Sequence, residues 1–263
     1  MLRRAKPLLG TLVELACAAD EEPSPKEALP DALLAASAAG FAVVGRIHAL
    51  MSWHKASSDL FRFNGAPPGQ WVRVAPETLA VFAFALQLSQ QTQGIFDVCA
   101  TGASGSWRDL EVDPVNQGLR KHAPLNADLG GIAKGYAVDA AVGALRQAGV
   151  RRGWVNAGGD LRAFGDIEIP LRVRTPRNLS ETVPCTTLRN RAAATSACYL
   201  ASNASAAIHL RHGVNRQAVA SGKSWTVAAP NCMAADALTK LVAATGDAQH
   251  PVLAHYAAQA WIF

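Results

Sequence analysis

The stretch Asn126–Asp139, NADLGGIAKGYAVD, carries the reading of this chain. Gly130 and Gly131 stand directly before a helical pattern from Ile132 to Ala148, which Gly149 closes. Two residues without a Cβ let the backbone approach a ligand closely, and the N–H groups of a helix start attract an anion. Lys134, one turn in, adds a counter-charge, so a phosphate suits the place. The same residues also describe a plain strand-to-helix turn. The spacing is not GxxxxGK[ST], and no GxGxxG follows a strand anywhere in the chain. Both the P-loop and the Rossmann arrangement are thereby excluded.

Outward from that stretch, Trp154–Gly165, WVNAGGDLRAFG, reads as strands Gly153–Asn156 and Leu161–Phe164 around a turn at Gly158, Gly159 and Asp160. Asp160 is either a ligand or merely the polar residue of that hairpin. Further strands are expected at Leu8–Cys17, Trp71–Val74, Ile169–Arg174, Ala192–Thr195, Ala206–Leu210 and Trp225–Ala228. Helical spacing or capping marks Asp31–Ser52, Pro76–Gln93 and Ala234–Ala244. Thr101–Asn126 reads as an irregular loop, and Val252–Phe263 as a closing strand or short helix. This order suits a single α+β domain over residues 1–263 with mostly antiparallel strands, better than a βαβ repeat.

Near the C-terminus, Ala235–Lys240 (ADALTK) puts Asp236 and Thr239 at i and i+3 on one side of a helix. A carboxylate and a hydroxyl so placed offer two hard oxygen ligands, which suits Mg²⁺ on a pyrophosphate. As plain structure, Asp236 is a charge on the helix dipole. Met51–Asn64, MSWHKASSDLFRFN, combines Trp53 and His54 with Ser57, Ser58 and Asp59 at a helix end, where an aromatic either stacks on a flat ring or is half-buried. No HExxH and no GxSxG are present, and His209 and His212 lie in a strand-and-turn context. A serine hydrolase or helical zinc site is unsupported.

Half of the residues are apolar, which excludes disorder. The net charge of +5 suits an anionic ligand, but the basic residues are scattered, so no nucleic-acid partner is indicated. Five cysteines without a CxxC pair give neither a disulfide framework nor a zinc ribbon and suit a reducing compartment. At the N-terminus, Pro7, Gly10 and Glu14 interrupt the apolar run, no lipobox follows, and no segment approaches a membrane span. The expectation is a soluble, cytoplasmic protein.

Together and in this order, the three motifs resemble those of the ApbE-type FAD:protein FMN transferases. The resemblance extends from Leu8-Leu9-Gly10-Thr11 through MSWHKASSDLFRFN and FDVCATGASGSW (Phe96–Trp107) to the helix after Asp236. It implies a T-fold-like α+β architecture of mostly antiparallel sheets packed with helices. It also implies FAD as substrate and Mg²⁺-dependent transfer of FMN to a threonine hydroxyl of a partner flavoprotein, with release of AMP. By that resemblance Asp128, Gly130, Gly131, His54 and Trp107 face FAD. Asp236, Thr239 and the main-chain oxygen of Ala133 hold the metal, and Lys134 and Asp236 are the catalytic pair.

The chain also departs from that pattern. Lys240 stands where the family has a threonine, four residues after the metal aspartate, so Lys240 points away, replaces part of the metal's charge, or leaves the site without metal. His54 replaces a tyrosine, the segment between Trp107 and Asp128 is short, and AAIHLRHGVNRQAVA lacks the Asp-Pro of the family's HIIDPRTG-like stretch. Ala194-Thr195-Ser196 resembles the core of a flavin acceptor site, though it is also an ordinary strand. The alternatives to a transferase are a catalytically reduced FAD-binding or accessory protein and an FAD pyrophosphatase releasing FMN.

Overall fold

The computed structural model describes residues 1–18, 31–176, 178–197, 210–219 and 222–263. Cys198, His209 and all of the expected Ala206–Leu210 strand except Leu210 lie outside the described residues.

The chain opens with a hairpin of β1 (Leu2–Leu8) and β2 (Thr11–Ala18). Its two-residue turn has positive φ at both Leu9 (55°) and Gly10 (70°), the primed geometry whose twist matches antiparallel strands. The expected Leu8–Cys17 strand is therefore broken at this turn. Residues 3–7 went unread as a strand because Arg3, Arg4, Lys6 and Pro7 give no apolar alternation. A basic, proline-bearing strand belongs at a sheet edge, and β1 is one.

Two helices follow, α1 (Asp31–Met51) and α2 (Asp59–Gly65), the second capped by Ser58, whose Oγ accepts from the Phe61 N–H at 2.9 Å. The Ser57-Ser58-Asp59 cluster thus starts a helix rather than ending one. Among the described residues α1 alone is long and apolar enough to cross a membrane. In this fold its Ala36, Phe41, Val44 and Ile47 face is buried against the core, and α1 packs on the fourth helix described below.

After β3 (Val72–Arg73) and α3 (Pro76–Gln91), the supposedly irregular loop holds a short 3-10 helix, Trp107–Asp109, and strands β4 (Leu110–Asp113) and β5 (Gly118–Lys121). These strands form a small antiparallel sheet in the order β3-β5-β4. Each is too short to show a period, so the glycines and prolines around them dominate the sequence pattern.

The second half gives α4 (Ala133–Gln147), β6 (Arg152–Ala157), β7 (Asp160–Phe164), β8 (Glu168–Thr175), β9 (Asn178–Arg189), β10 (Ala192–Ala197), β11 (Ser224–Ala229), α5 (Cys232–Thr245), α6 (Val252–His255) and β12 (Gln259–Ile262). A seven-stranded antiparallel sheet runs β1-β2-β6-β7-β10-β11-β12. Helices α4 and α5 lie over the middle of it, and most of the apolar core fills the space between. The β8–β9 hairpin contacts β7, where Ala163, Leu188, Ala193 and Ala228 form a second, small core. The sequence does not mark β9, because its polar residues hide the alternation and Pro184 sits at a register shift. The final segment is a helical turn followed by a strand. The α+β architecture with antiparallel sheets is the one expected.

Candidate active site

Helices α4 and α5 meet in a close seam, and the sequence explains why. A Cβ on Gly135 would stand 2.3 Å from the Cys232 carbonyl oxygen and 2.8 Å from Asp236 Cβ, so only glycine permits this approach. Four residues on, on the same face of α4, Asp139 accepts the N–H groups of Cys232 and Met233 at 2.9 Å each and the Arg162 guanidinium at 2.6 Å. Asn231 takes the Ala234 N–H at 2.8 Å. The orphan donors at the start of α5 are thus satisfied across the seam. Burial pushes the Asp139 carboxyl up, against Arg162 and the two N–H groups, which favour its charged form.

One turn further along α5 lies a buried cluster of two carboxylates and two ammoniums. Asp236 is fully buried. Its Oδ2 accepts the Gly135 N–H at 3.1 Å and faces Lys134 Nζ at 3.6 Å, while Oδ1 takes the ammonium of Lys240. Lys134 in turn donates to Asp160 Oδ2 at 2.5 Å. Asp160, at the start of β7, is therefore an ion-pair partner inside the cluster and not just the polar residue of a hairpin. The two acids divide. Burial raises Asp160, reinforced by the charge of Asp236, to about 6. Burial acts on Asp236 in the same sense, but Lys134, Lys240 and the Gly135 N–H outweigh it and hold its carboxyl below the ordinary range. Lys134 is half-buried, and desolvation alone would lower it, yet Asp160 and Asp236 hold it above its usual value.

The cluster opens on a cleft whose lining includes Asp97, Asp128, Gly131, Ile132, Arg211 and Lys240. Asp128 folds the Gly130-Gly131 turn, accepting the Gly130 N–H at 2.8 Å. Asn64 clasps the preceding residue, Ala127, through two hydrogen bonds of 2.9 and 2.8 Å. On the far wall, Asp97 accepts the Cys99 N–H at 2.8 Å and the Trp107 N–H at 3.1 Å, and burial pushes its carboxyl up. Arg216 donates to the carbonyls of Gly102 (2.7 Å) and Gly105, holding the loop beneath.

Of the residues singled out in the sequence, Asp128, Gly130, Gly131, Lys134 and Asp236 converge here. Ala133 opens α4 beside Lys134. Trp107 is tied to the cleft through its backbone bond to Asp97, and its buried indole N–H, against Gly94, has no partner. His54 is exposed on the turn between α1 and α2 and lines no part of the cleft. Thr195 is engaged within the sheet, its hydroxyl 2.9 Å from that of Thr226. Asp97, Asp139 and Arg211 received no role from the sequence. Asp139 was legible in principle, being four residues after a seam glycine, whereas Arg211 carries no local signal.

A divalent cation fits this donor set poorly. Mg²⁺ requires bare oxygens at near-octahedral positions. Both oxygens of Asp236 already face N–H or ammonium groups. Thr239 Oγ1 donates to the Asp236 main-chain carbonyl at 2.7 Å and pairs with Ser196 Oγ at 2.7 Å. Of the expected ligand set of Ala133, Asp236 and Thr239, the side chains of Asp236 and Thr239 are thus engaged within the protein. Lys240 turns toward Asp236 and neutralises its only carboxylate.

The sequence matches the model of the ApbE family over residues 9–111 and 100–262. The chain belongs to the ApbE family. No curated protein matches it. Among solved structures, the ApbE protein of Thermotoga maritima superposes with a TM-score of 0.80 at 22% identity, covering 99% of this chain and 93% of that one. The flavinyl transferase ApbE of Pseudomonas stutzeri in its apo form gives 0.80 at 20% identity, covering 99% and 90%. A variant of the flavin transferase ApbE of Vibrio cholerae gives 0.78 at 21% identity, covering 99% and 92%. At these identities the likeness establishes the fold.

Proposed function

We propose that this ApbE-family chain is a flavin transferase, binding FAD in the cleft beside Gly131 and passing FMN to a threonine hydroxyl of a partner flavoprotein. The observation that carries this reading is the convergence of the Gly130-Gly131 turn, Arg211 and Lys240 on one cleft, which suits a pyrophosphate. The acceptor oxygen attacks the FMN phosphorus, the bond from that phosphorus to the bridging oxygen breaks, and AMP leaves with the bridging oxygen. The hydroxyl proton passes to solvent. Charge grows on the phosphoryl and leaving oxygens as this happens, and fixed cations beside them lower the barrier. Lys240 and Arg211 are the cations within reach of the cleft. Asp236 and Lys134 act behind them as positioning residues.

One observation favours a second reading. With Lys240 seated on Asp236, the site suits holding FAD intact, as an accessory flavin-binding protein would. Incubating the protein with FAD and an acceptor bearing a Ser-Gly-Ala-Thr-like site, with either Mg²⁺ or EDTA present, separates the possibilities. AMP together with an in-gel fluorescent acceptor band is the expected result, lost in Asp236→Ala. Bound FAD without AMP would establish the accessory reading, and free FMN without labelled acceptor would establish a pyrophosphatase.

A further inference from the structure

We propose that Lys240 stands in for a divalent cation, so that this chain binds the pyrophosphate of its flavin substrate with a built-in ammonium and without metal. The inference rests on the reading of the cleft as the FAD site. Three observations carry it.

The first is where the ammonium sits. Lys240 Nζ bonds Asp236 Oδ1 and donates to the Asp236 main-chain oxygen at 3.1 Å, so it holds the only carboxylate of the expected ligand set. The second is the path of its stem. A Cβ on Gly131 would lie 3.0 Å from Lys240 Cε, so the side chain runs along the Gly130-Gly131 turn toward the start of α4. An anion resting on that turn meets the ammonium. Exposure agrees: the Lys240 side chain is 19% exposed and that of Asp236 1%, so Lys240 is the more accessible of the pair.

The third is charge balance. Two carboxylates, Asp160 and Asp236, face two ammoniums, Lys134 and Lys240, within one buried cluster. The cluster is neutral as it stands. A dication seated on Asp236 would have to displace Lys240 or lie beside two ammoniums, with Asp97 and Asp128 on the cleft wall as the remaining carboxylates. Arg211, on the same cleft, supplies a second fixed positive charge to the phosphates.

The test titrates FAD into the full chain in EDTA and again in Mg²⁺, following flavin fluorescence. Separately, Mg²⁺ alone is titrated into the protein by calorimetry. We expect FAD affinity in EDTA and Mg²⁺ to agree within about twofold, and the wild type to give no Mg²⁺ binding heat. Lys240→Met, a neutral chain of similar length, should weaken FAD binding in EDTA by about 10- to 100-fold, the worth of a charge-assisted bond to phosphate. The same variant frees Asp236 and should gain Mg²⁺ binding. Lys240→Arg, which keeps the charge, should keep metal-free binding and guards against a folding defect in the first variant. FAD binding that needs Mg²⁺ in the wild type, or Mg²⁺ binding to the wild type without flavin, would overturn the role of Lys240 while leaving the cleft as the FAD site. Absence of FAD binding under every condition would overturn both.

Discussion

Two carboxylates on the α4–α5 seam make an instructive contrast. Asp139 is held by two backbone N–H groups and the Arg162 guanidinium, all fixed by helix starts and strands. Asp236 takes one backbone N–H and two lysine ammoniums on flexible stems. Asp139 is 15% exposed and Asp236 1%, and the partners differ in mobility. Rigid backbone donors fix the two helices against each other, whereas lysine ammoniums can turn toward an arriving anion while the carboxylate stays in place. The seam therefore separates a structural acid from one that positions charge at a binding site.

Substitutions should sharpen that contrast. Asp139→Ala orphans two N–H groups and a guanidinium at once, and should lower unfolding stability by about 3–5 kcal/mol in denaturant titration. Asp139→Asn, still an acceptor, should lose less. Asp236→Ala strands one N–H and leaves Lys134 on Asp160 and a part-exposed Lys240 that can turn to water, so a smaller loss of about 1–3 kcal/mol is expected together with lost flavin transfer. A larger loss for Asp236→Ala than for Asp139→Ala would reverse the assignment of the two acids. Gly135→Ala presses a methyl on the Cys232 carbonyl and should cost about 1–3 kcal/mol by forcing the helices apart, weakening FAD binding in parallel. Stability lost without any change in FAD affinity would uncouple the seam from the cleft.

The smallest expected effect is in titration. Asp160 should titrate near 6 by carboxyl-resolved NMR, above its ordinary 3.8. Because the folded value is the higher one, its contribution to stability is present below the ordinary carboxylate range and is lost as pH rises toward about 6. Asp236 has the opposite sign: its contribution is present above the ordinary range and is lost as pH falls through its lowered value. Lys240→Met removes a cation that lowers both, so both carboxyls should move up. An Asp160 that titrates as an ordinary exposed carboxyl would mean that the cluster does not form.

Much of this architecture could be read from local pattern. Helices α1, α3, α4 and α5 announce themselves by apolar spacing, Pro76 and Gly149, and the β6–β7 turn by Gly158-Gly159. The glycine turn, Lys134 and Asp236 were also visible, because each sits in a stretch with its own period. What failed to show were short strands without a repeat, such as β4 and β5, and polar edge elements such as β1 and β9, where burial on one side only is set by the partner strand. Within the site, the sequence offered Lys240 in three possible states. The close approach of α4 to α5, set by Gly135 and Asp139, brings Lys240 onto Asp236, a contact that the sequence does not show. Contacts that span a hundred residues, such as the Gly135 N–H to Asp236, leave no local trace.

The central claim, that FAD lies against Gly131 with Lys240 as its cation, is tested most directly by a crystal structure of the FAD complex grown in EDTA. The account predicts the pyrophosphate within hydrogen-bond distance of Lys240 Nζ and Arg211, with Asp236 still paired to its lysines. Flavin bound away from the Gly130-Gly131 turn, or a pyrophosphate that leaves Lys240 untouched, would contradict it.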